Sequence, residues 1–308
     1  MARYFPPPEE YRPGLILQLR QRLEGGGLRD NVLQIPQMER DPRRRVVVLV
    51  HGFNNHYGEA AMAYQGFRRR QYDNDKEFPP PTLERLLGDV FWPGDAAWGI
   101  ADIVDFLVYP VAVGTARDAA PILADHLRNM PNLLLVHFIG HSLGCRVTLE
   151  AIEDLRRNGG PPVGKVCLMA AAVPIFMVER GGNLADAISY AENVLVLYSE
   201  RDLVLKLAFR AGQTVARGYE GFFPIALGAR RPPPTVAGYV NSIDIDGAGH
   251  SDYWGHMQGG VSGVASARAG EFFQFGTLVR TIDSRDVAVP ASTPQSRPES
   301  AGARVVGS

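Results

Sequence analysis

One stretch constrains this chain more than any other: the apolar run NLLLVHFIG (132–140), followed at once by HSLG and then by CRVTLEAIEDLRRNGG. An unbroken apolar run closed by glycine predicts a strand buried on both faces. Val147, Leu149, Ile152 and Leu155 then fall at helical spacing, and a Gly pair at 159–160 stops the helix. A strand with no polar face followed directly by an amphipathic helix is a unit that only a parallel sheet covered by helices can bury.

The rest of the chain repeats that alternation. RVVVLVHGF (45–53) reads as a buried strand, and EAAMAYQGFRRRQYDNDKEF after it has helical spacing. GDVFWP (88–93) is a short strand ended by proline, and TARDAAPILADHLRNM (115–130) reads as a helix capped at Thr115. GKVCLMAAAVP (164–174), NVLVLYSE (193–200) and YVNSIDIDGAG (239–249) complete the strands. The predicted fold class is therefore α/β, a mostly parallel, doubly wound sheet with helices on both faces. No repeat of fixed period accompanies it.

The ends differ from this core in composition. Residues 1–40 are rich in Pro, Gly and Arg and predict an irregular N-terminal segment with one short helix around LILQLRQRL. Residues 41–283 form the expected domain, and the Ser-, Pro- and Arg-rich tail 284–308 predicts disorder. Within the domain, AAWGIADIVDFLVYPVAVGTA (96–116) is strongly apolar, but Asp102, Asp105 and Pro110 interrupt it. It is expected to be a buried or pocket-lining segment rather than a membrane span.

A formal net charge of −1 gives no field that would gather phosphate backbones, so nucleic acid is not an expected partner. The runs Arg43–Arg45 and Arg68–Arg70 read as a solvated strand entry and a solvated helix face. MARYFPPPEEYRPG lacks the basic and apolar regions of a secretory signal, and the expected location is cytoplasmic. The two cysteines, Cys145 and Cys167, match no zinc spacing and are expected to be small buried thiols.

The chemistry is carried by Gly140-His141-Ser142-Leu143-Gly144. A tight turn between strand and helix forces the serine into strained backbone angles, and only glycines two residues before and after let strand and helix approach. The hydroxyl is thereby lifted above the sheet at a helix N-terminus, where the Leu143 amide can face a developing oxyanion. Serine is a weak nucleophile unless a base takes its proton and an acid orients that base.

The chain order Ser, acid, His points to Asp202 in the loop after NVLVLY, with Glu200 as the nearby competitor. It points to His250 in GAGHSDYW as base, with His256, expected on the closing helix, as the alternative. His51 and His141 belong to motif positions, His137 lies inside a strand, and His56 and His126 read as satisfied surface or core residues.

Taken together, LVHGFNN (49–55), GHSLG (140–144), SERD (199–202) and GAGHSDYW (247–254) resemble the α/β-hydrolase superfamily, and most of all its compact serine esterase and lipase-like members. The likeness covers about residues 45–280. It implies that His51-Gly52 orients the loop after the first core strand and that the Phe53 amide is the second oxyanion donor beside Leu143. HGFNN departs from the glycine-rich HGGG type, so backbone access there differs. VFWPGD resembles the corresponding segment of a poorly characterised bacterial subgroup.

The implied activity is ester hydrolysis on a small-molecule ester or lipid-like substrate, with no cofactor and no metal. An acyltransferase or peptidase with the same three residues, and a binding module that kept only the fold, are the alternatives. The long stretch Val204–Tyr239, with Phe209, Tyr219, Phe222 and Phe223, reads equally as a short cap over an acyl pocket or as a segment packed on the sheet edge.

Overall fold

The computed structural model describes residues 13–20, 28–37, 43–53, 55–74, 82–94, 105–210, 224–257 and 260–279. Among these residues eight strands form one sheet: β1 (Leu15–Gln18), β2 (Leu33–Ile35), β3 (Arg45–Val50), β4 (Leu87–Phe91), β5 (Leu135–His141), β6 (Val163–Met169), β7 (Asn193–Tyr198) and β8 (Val240–Asp244). Their order is β2-β1-β4-β3-β5-β6-β7-β8, and every pairing is parallel except β1 with β2.

Alternation along β3 shows why the sheet must be covered twice. Val46, Val48 and Val50 enter one apolar core with residues of helices α2 (Asp105–Asn129) and α3 (Gly144–Asn158). Val47 and Leu49 enter another with residues of α1 (Tyr57–Asn74) and of the last described helix, Gly260–Phe273. Period-two side chains that are apolar on both faces leave no face for water. The doubly wound α/β expectation therefore matches the observed architecture. Among the described residues no helix is long and apolar enough to cross a membrane.

Four local readings are corrected. The helix expected over LILQLRQRL is a strand at Leu15–Gln18, where Leu15 and Leu17 are fully buried and Ile16 and Gln18 face the other way. Its alternation satisfies a strand once β4 is beside it. Thr115 does not cap a helix, because α2 already starts at Asp105 and the Thr115 hydroxyl donates to the Val111 carbonyl, 3.1 Å away, one turn back.

Arg68 is not solvated: it is 1 % exposed and its guanidinium reaches Asp89 of β4 at 2.7 Å. A charge buried beneath a helix in this way needs its partner. His256 precedes the closing helix instead of lying on it. The disorder expected for 284–308 falls outside the described residues, as do residues 95–104 of the apolar segment.

Candidate active site

Because the core strands are parallel, their carboxyl ends gather at one edge of the sheet. Phe53 follows β3, Ser142 follows β5, Asp202 follows β7 and His250 follows β8. Strand order places β3, β5, β6, β7 and β8 side by side, so these loops converge although the chain separates them widely.

Ser142 has a φ of +53°, in the left-handed region that costs a non-glycine residue roughly 1–2 kcal/mol. The turn is locked on both sides: the Ser142 N–H donates to the Met169 carbonyl at 2.9 Å and the Ala172 N–H to the Ser142 carbonyl at 3.1 Å. The flanking glycines are required by contact. A Cβ at Gly140 would sit 2.9 Å from the Thr148 hydroxyl, and one at Gly144 would sit 2.3 Å from the His51 carbonyl oxygen. Val147, Leu149, Ile152 and Leu155 are all fully buried, which fixes α3 behind the turn.

The side chains expected from chain order come together. His250 Nε2 lies 2.7 Å from Ser142 Oγ, and His250 Nδ1 lies 2.8 Å from Asp202 Oδ2. Asp202 is fully buried, and its other oxygen accepts the Leu205 N–H at 3.0 Å. The carboxylate therefore has a fixed orientation and one oxygen available to hold the ring. Glu200 is exposed and takes no part in this row. His256 packs its backbone and Cβ against α1, where a Cβ on Gly66 would lie 2.4 Å from the His256 Cβ. Of the two acids and two histidines weighed, Asp202 and His250 are the ones at Ser142.

The loop carrying His250 is shaped by two more contacts. Asp252 accepts the Gly249 N–H at 2.9 Å, and His141 Nε2 donates to the His250 carbonyl at 2.8 Å. Burial, with the neighbouring His250 ring second, pushes His141 down to about 3, so it stays neutral while it donates. Tyr253 and Trp254 are buried beside the His141 ring, with centroids 5.8 and 6.1 Å away.

Opposite this row runs the loop after β3. A Cβ on Gly52 would lie 2.9 Å from the Ser142 Cβ, so glycine is what brings this backbone against the serine. Phe53, half-buried against the core, and Leu143, at the start of α3, carry the amides expected to face an oxyanion. Among the described residues the Leu143 N–H donates to no backbone carbonyl.

The loop is anchored through His51, which is fully buried. Its N–H donates to the Tyr64 hydroxyl at 2.8 Å, the Tyr64 hydroxyl donates to the Val90 carbonyl at 2.6 Å, and Trp92 Nε1 donates to the His51 carbonyl at 2.7 Å. The Trp92 ring stacks on His51 at 5.7 Å. Burial and the nearby Arg20 hold the His51 imidazole well below its ordinary pKa.

Sequence reasoning missed Arg20, Tyr64, Trp92, His141 and Asp252. His141, Trp92 and Asp252 stood inside quoted motifs, but none of those motifs specifies a partner.

Two further histidines make contacts within the fold. His137 Nδ1 accepts the Lys165 N–H at 2.8 Å across the irregular β5–β6 pairing, and burial lowers it to about 4. His126 Nε2 lies 2.6 Å from the Gln34 side-chain oxygen, joining α2 to β2. Cys145 and Cys167 are free and buried, with both thiols pushed up by burial. Among the described residues no group of three His, Cys, Asp or Glu side chains could hold a metal ion.

Of the stretch Val204–Tyr239, the structure describes residues 204–210, with Leu205 and Phe209 buried in the core, and residues from 224 on. That part is stitched to the segment after β6: Leu227 and Gly228 donate to Val173 and Ala171 at 2.8 and 3.0 Å, and Ala237 donates to Val178 at 2.9 Å. Residues 224–237 thus pack on the sheet's end, while Tyr219, Phe222 and Phe223 fall outside the described residues.

A family model described as "Alpha/beta hydrolase of unknown function" (DUF900) matches residues 31–220. No curated protein matches the chain. Among solved structures, an esterase from Pyrobaculum calidifontis is similar at 15 % identity and a TM-score of 0.41, over 86 % of this chain and 83 % of that one. Carboxyl esterase 2 from the fungus Tuber melanosporum is similar at 13 % identity and a TM-score of 0.43, over 87 % and 92 %.

Proposed function

The chain belongs to the DUF900 family of α/β hydrolases, and we propose that it is a serine hydrolase cleaving carboxylic esters through Ser142, His250 and Asp202. The observation that carries this reading is the hydrogen-bonded row itself, 2.7 Å from Ser142 Oγ to His250 Nε2 and 2.8 Å from His250 Nδ1 to Asp202 Oδ2. Ring nitrogens at such distances accept the serine proton as the hydroxyl oxygen attacks a carbonyl.

Charge then develops on the former carbonyl oxygen, and the amides of Leu143 and Phe53 are the donors that would receive it. His250, now protonated and held by Asp202, gives its proton to the leaving alkoxide. The acyl group stays on Ser142 Oγ. Water enters, loses a proton to His250 and attacks the acyl carbon, releasing the carboxylic acid and restoring the serine.

A fluorophosphonate probe tests the nucleophile, and short-chain p-nitrophenyl esters test the reaction. The expected result is covalent labelling at Ser142 and ester turnover, both lost in Ser142→Ala while the thermal unfolding midpoint is kept. Turnover undiminished in that variant would overturn the reading. Labelling at Ser142 with acyl passed to an added alcohol or amine in preference to water would instead assign a transferase.

A further inference from the structure

We propose that Arg20, which precedes the segment matched by the family model, is a positioning residue for the oxyanion loop: it selects the tautomer of His51, and His51 fixes the Gly52–Phe53 peptide beside Ser142. The inference rests on the reading of the Phe53 amide as an oxyanion donor.

His51 Nδ1 lies 2.8 Å from the Gly52 carbonyl oxygen. An oxygen of that kind only accepts, so Nδ1 carries the hydrogen. The ring is neutral, since burial and the Arg20 charge both disfavour the imidazolium. Nε2 therefore holds a lone pair, and the group facing it at 3.3 Å is Arg20 Nη2, which only donates. With the opposite tautomer two N–H groups would meet at Nε2 and the Gly52 carbonyl would lose its donor. Arg20 thus biases the ring toward the form that holds the loop. The same Nη2 donates to the Asn55 carbonyl at 2.7 Å, so one guanidinium nitrogen grips both ends of the 51–55 loop.

The consequence for chemistry follows from peptide geometry. In a trans peptide the carbonyl and the next N–H are coplanar and point in opposite directions. Fixing the Gly52 carbonyl toward His51 fixes the Phe53 N–H away from it. The chain of donors, guanidinium to imidazole to carbonyl, also draws electron density along the peptide and makes that N–H a stronger donor. Gly52 is the residue whose absent side chain lets this peptide lie against Ser142. Arg20 touches no reacting atom in this account; it acts through His51.

Two measurements on the full chain test it. The first is ¹⁵N–¹H correlation spectroscopy of protein labelled in its histidine rings, with His51 assigned by its absence in His51→Gln. An Nδ1–H tautomer in the wild type that is lost or mixed in Arg20→Ala supports the proposal, and an Nε2–H tautomer in the wild type overturns it.

The second compares ester kinetics of the wild type, Arg20→Ala and Arg20→Lys. Loss of alignment at one donor is expected to lower kcat about 10- to 100-fold with KM nearly unchanged, below the cost of deleting a donor outright. Added guanidinium is expected to restore part of the loss in Arg20→Ala, but not in Arg20→Lys, whose ammonium occupies the site. A folded Arg20→Ala enzyme with unchanged kcat, or a loss confined to KM, overturns the proposal. A wild type that neither turns over esters nor takes the fluorophosphonate defeats the reading of Ser142 instead, and the tautomer measurement still decides whether Arg20 sets His51.

Discussion

The two walls facing Ser142 are assembled on different plans. On one side, His250 contacts both Ser142 and Asp202 directly, and each of the three comes from a loop that follows a strand of the sheet. On the other, the 51–55 loop is held from outside, by Arg20 at the end of β1, Tyr64 on α1 and Trp92 at the end of β4. The first wall needs few groups, because a fixed sheet order already brings its loops together. The second is backbone, and backbone amides must be aimed by whatever grips the peptide. On the proposed reading, the reactive row is built from its own members, whereas the donor loop takes its precision from the surrounding core.

That difference predicts where the large losses fall. Asp202→Asn is expected to lower kcat on p-nitrophenyl esters by about 10⁴-fold, because an amide can turn an N–H toward His250 Nδ1 and stabilise the wrong tautomer. The unfolding midpoint should move little by comparison. A loss of only a few-fold would mean that the row does not act as a unit, and the contrast between the walls would fail at its strongest point.

The second wall should answer with stability more than with rate. Tyr64→Phe removes the acceptor of the His51 N–H and a donor to the Val90 carbonyl, both in the core. Leaving such groups unpaired costs about 1–3 kcal/mol. Urea unfolding should show that loss, while kcat falls far less than in Asp202→Asn. If Tyr64→Phe matched Asp202→Asn in kcat without losing stability, the loop would have to be counted as part of the reactive row.

The same division explains what could be read from the sequence. The alternation of apolar runs with amphipathic stretches was enough for a doubly wound sheet, since five of the six strands read from it are buried on both faces. The site row was readable because its members are defined by place: after one strand, after a later one, after the last. Leu15 and Leu17 failed that reading, because a four-residue strand is too short to show its period against a helical one.

Arg68 failed for a related reason, standing in a run of three arginines that hides which one points inward. Arg20 could not have been found at all. Its partner is 31 residues away, and nothing local to either residue signals the contact.

The smallest expected effect is a pH dependence that both walls share. Each holds a buried neutral imidazole, His51 in the loop and His141 in the turn, and burial lowers both. The sign follows from the unfolded chain. There a histidine titrates near 6.5, while folded His141 resists protonation down to about 3. Above pH 6.5 neither state carries the proton, and the stability associated with His141 is fully present.

As pH falls below 6.5 the unfolded state alone takes up a proton. Stability then declines by at most about 1.4 kcal/mol per pH unit for each such histidine. His141→Gln, whose amide can still donate to the His250 carbonyl, should reduce the slope of unfolding free energy between pH 6.5 and 5 by close to one proton and leave the share of His51 in place. An unchanged slope would mean that His141 is protonated in the folded state. The contact that holds the His250 loop would then be an ion–dipole bond, and the two walls would differ in charge as well as in construction.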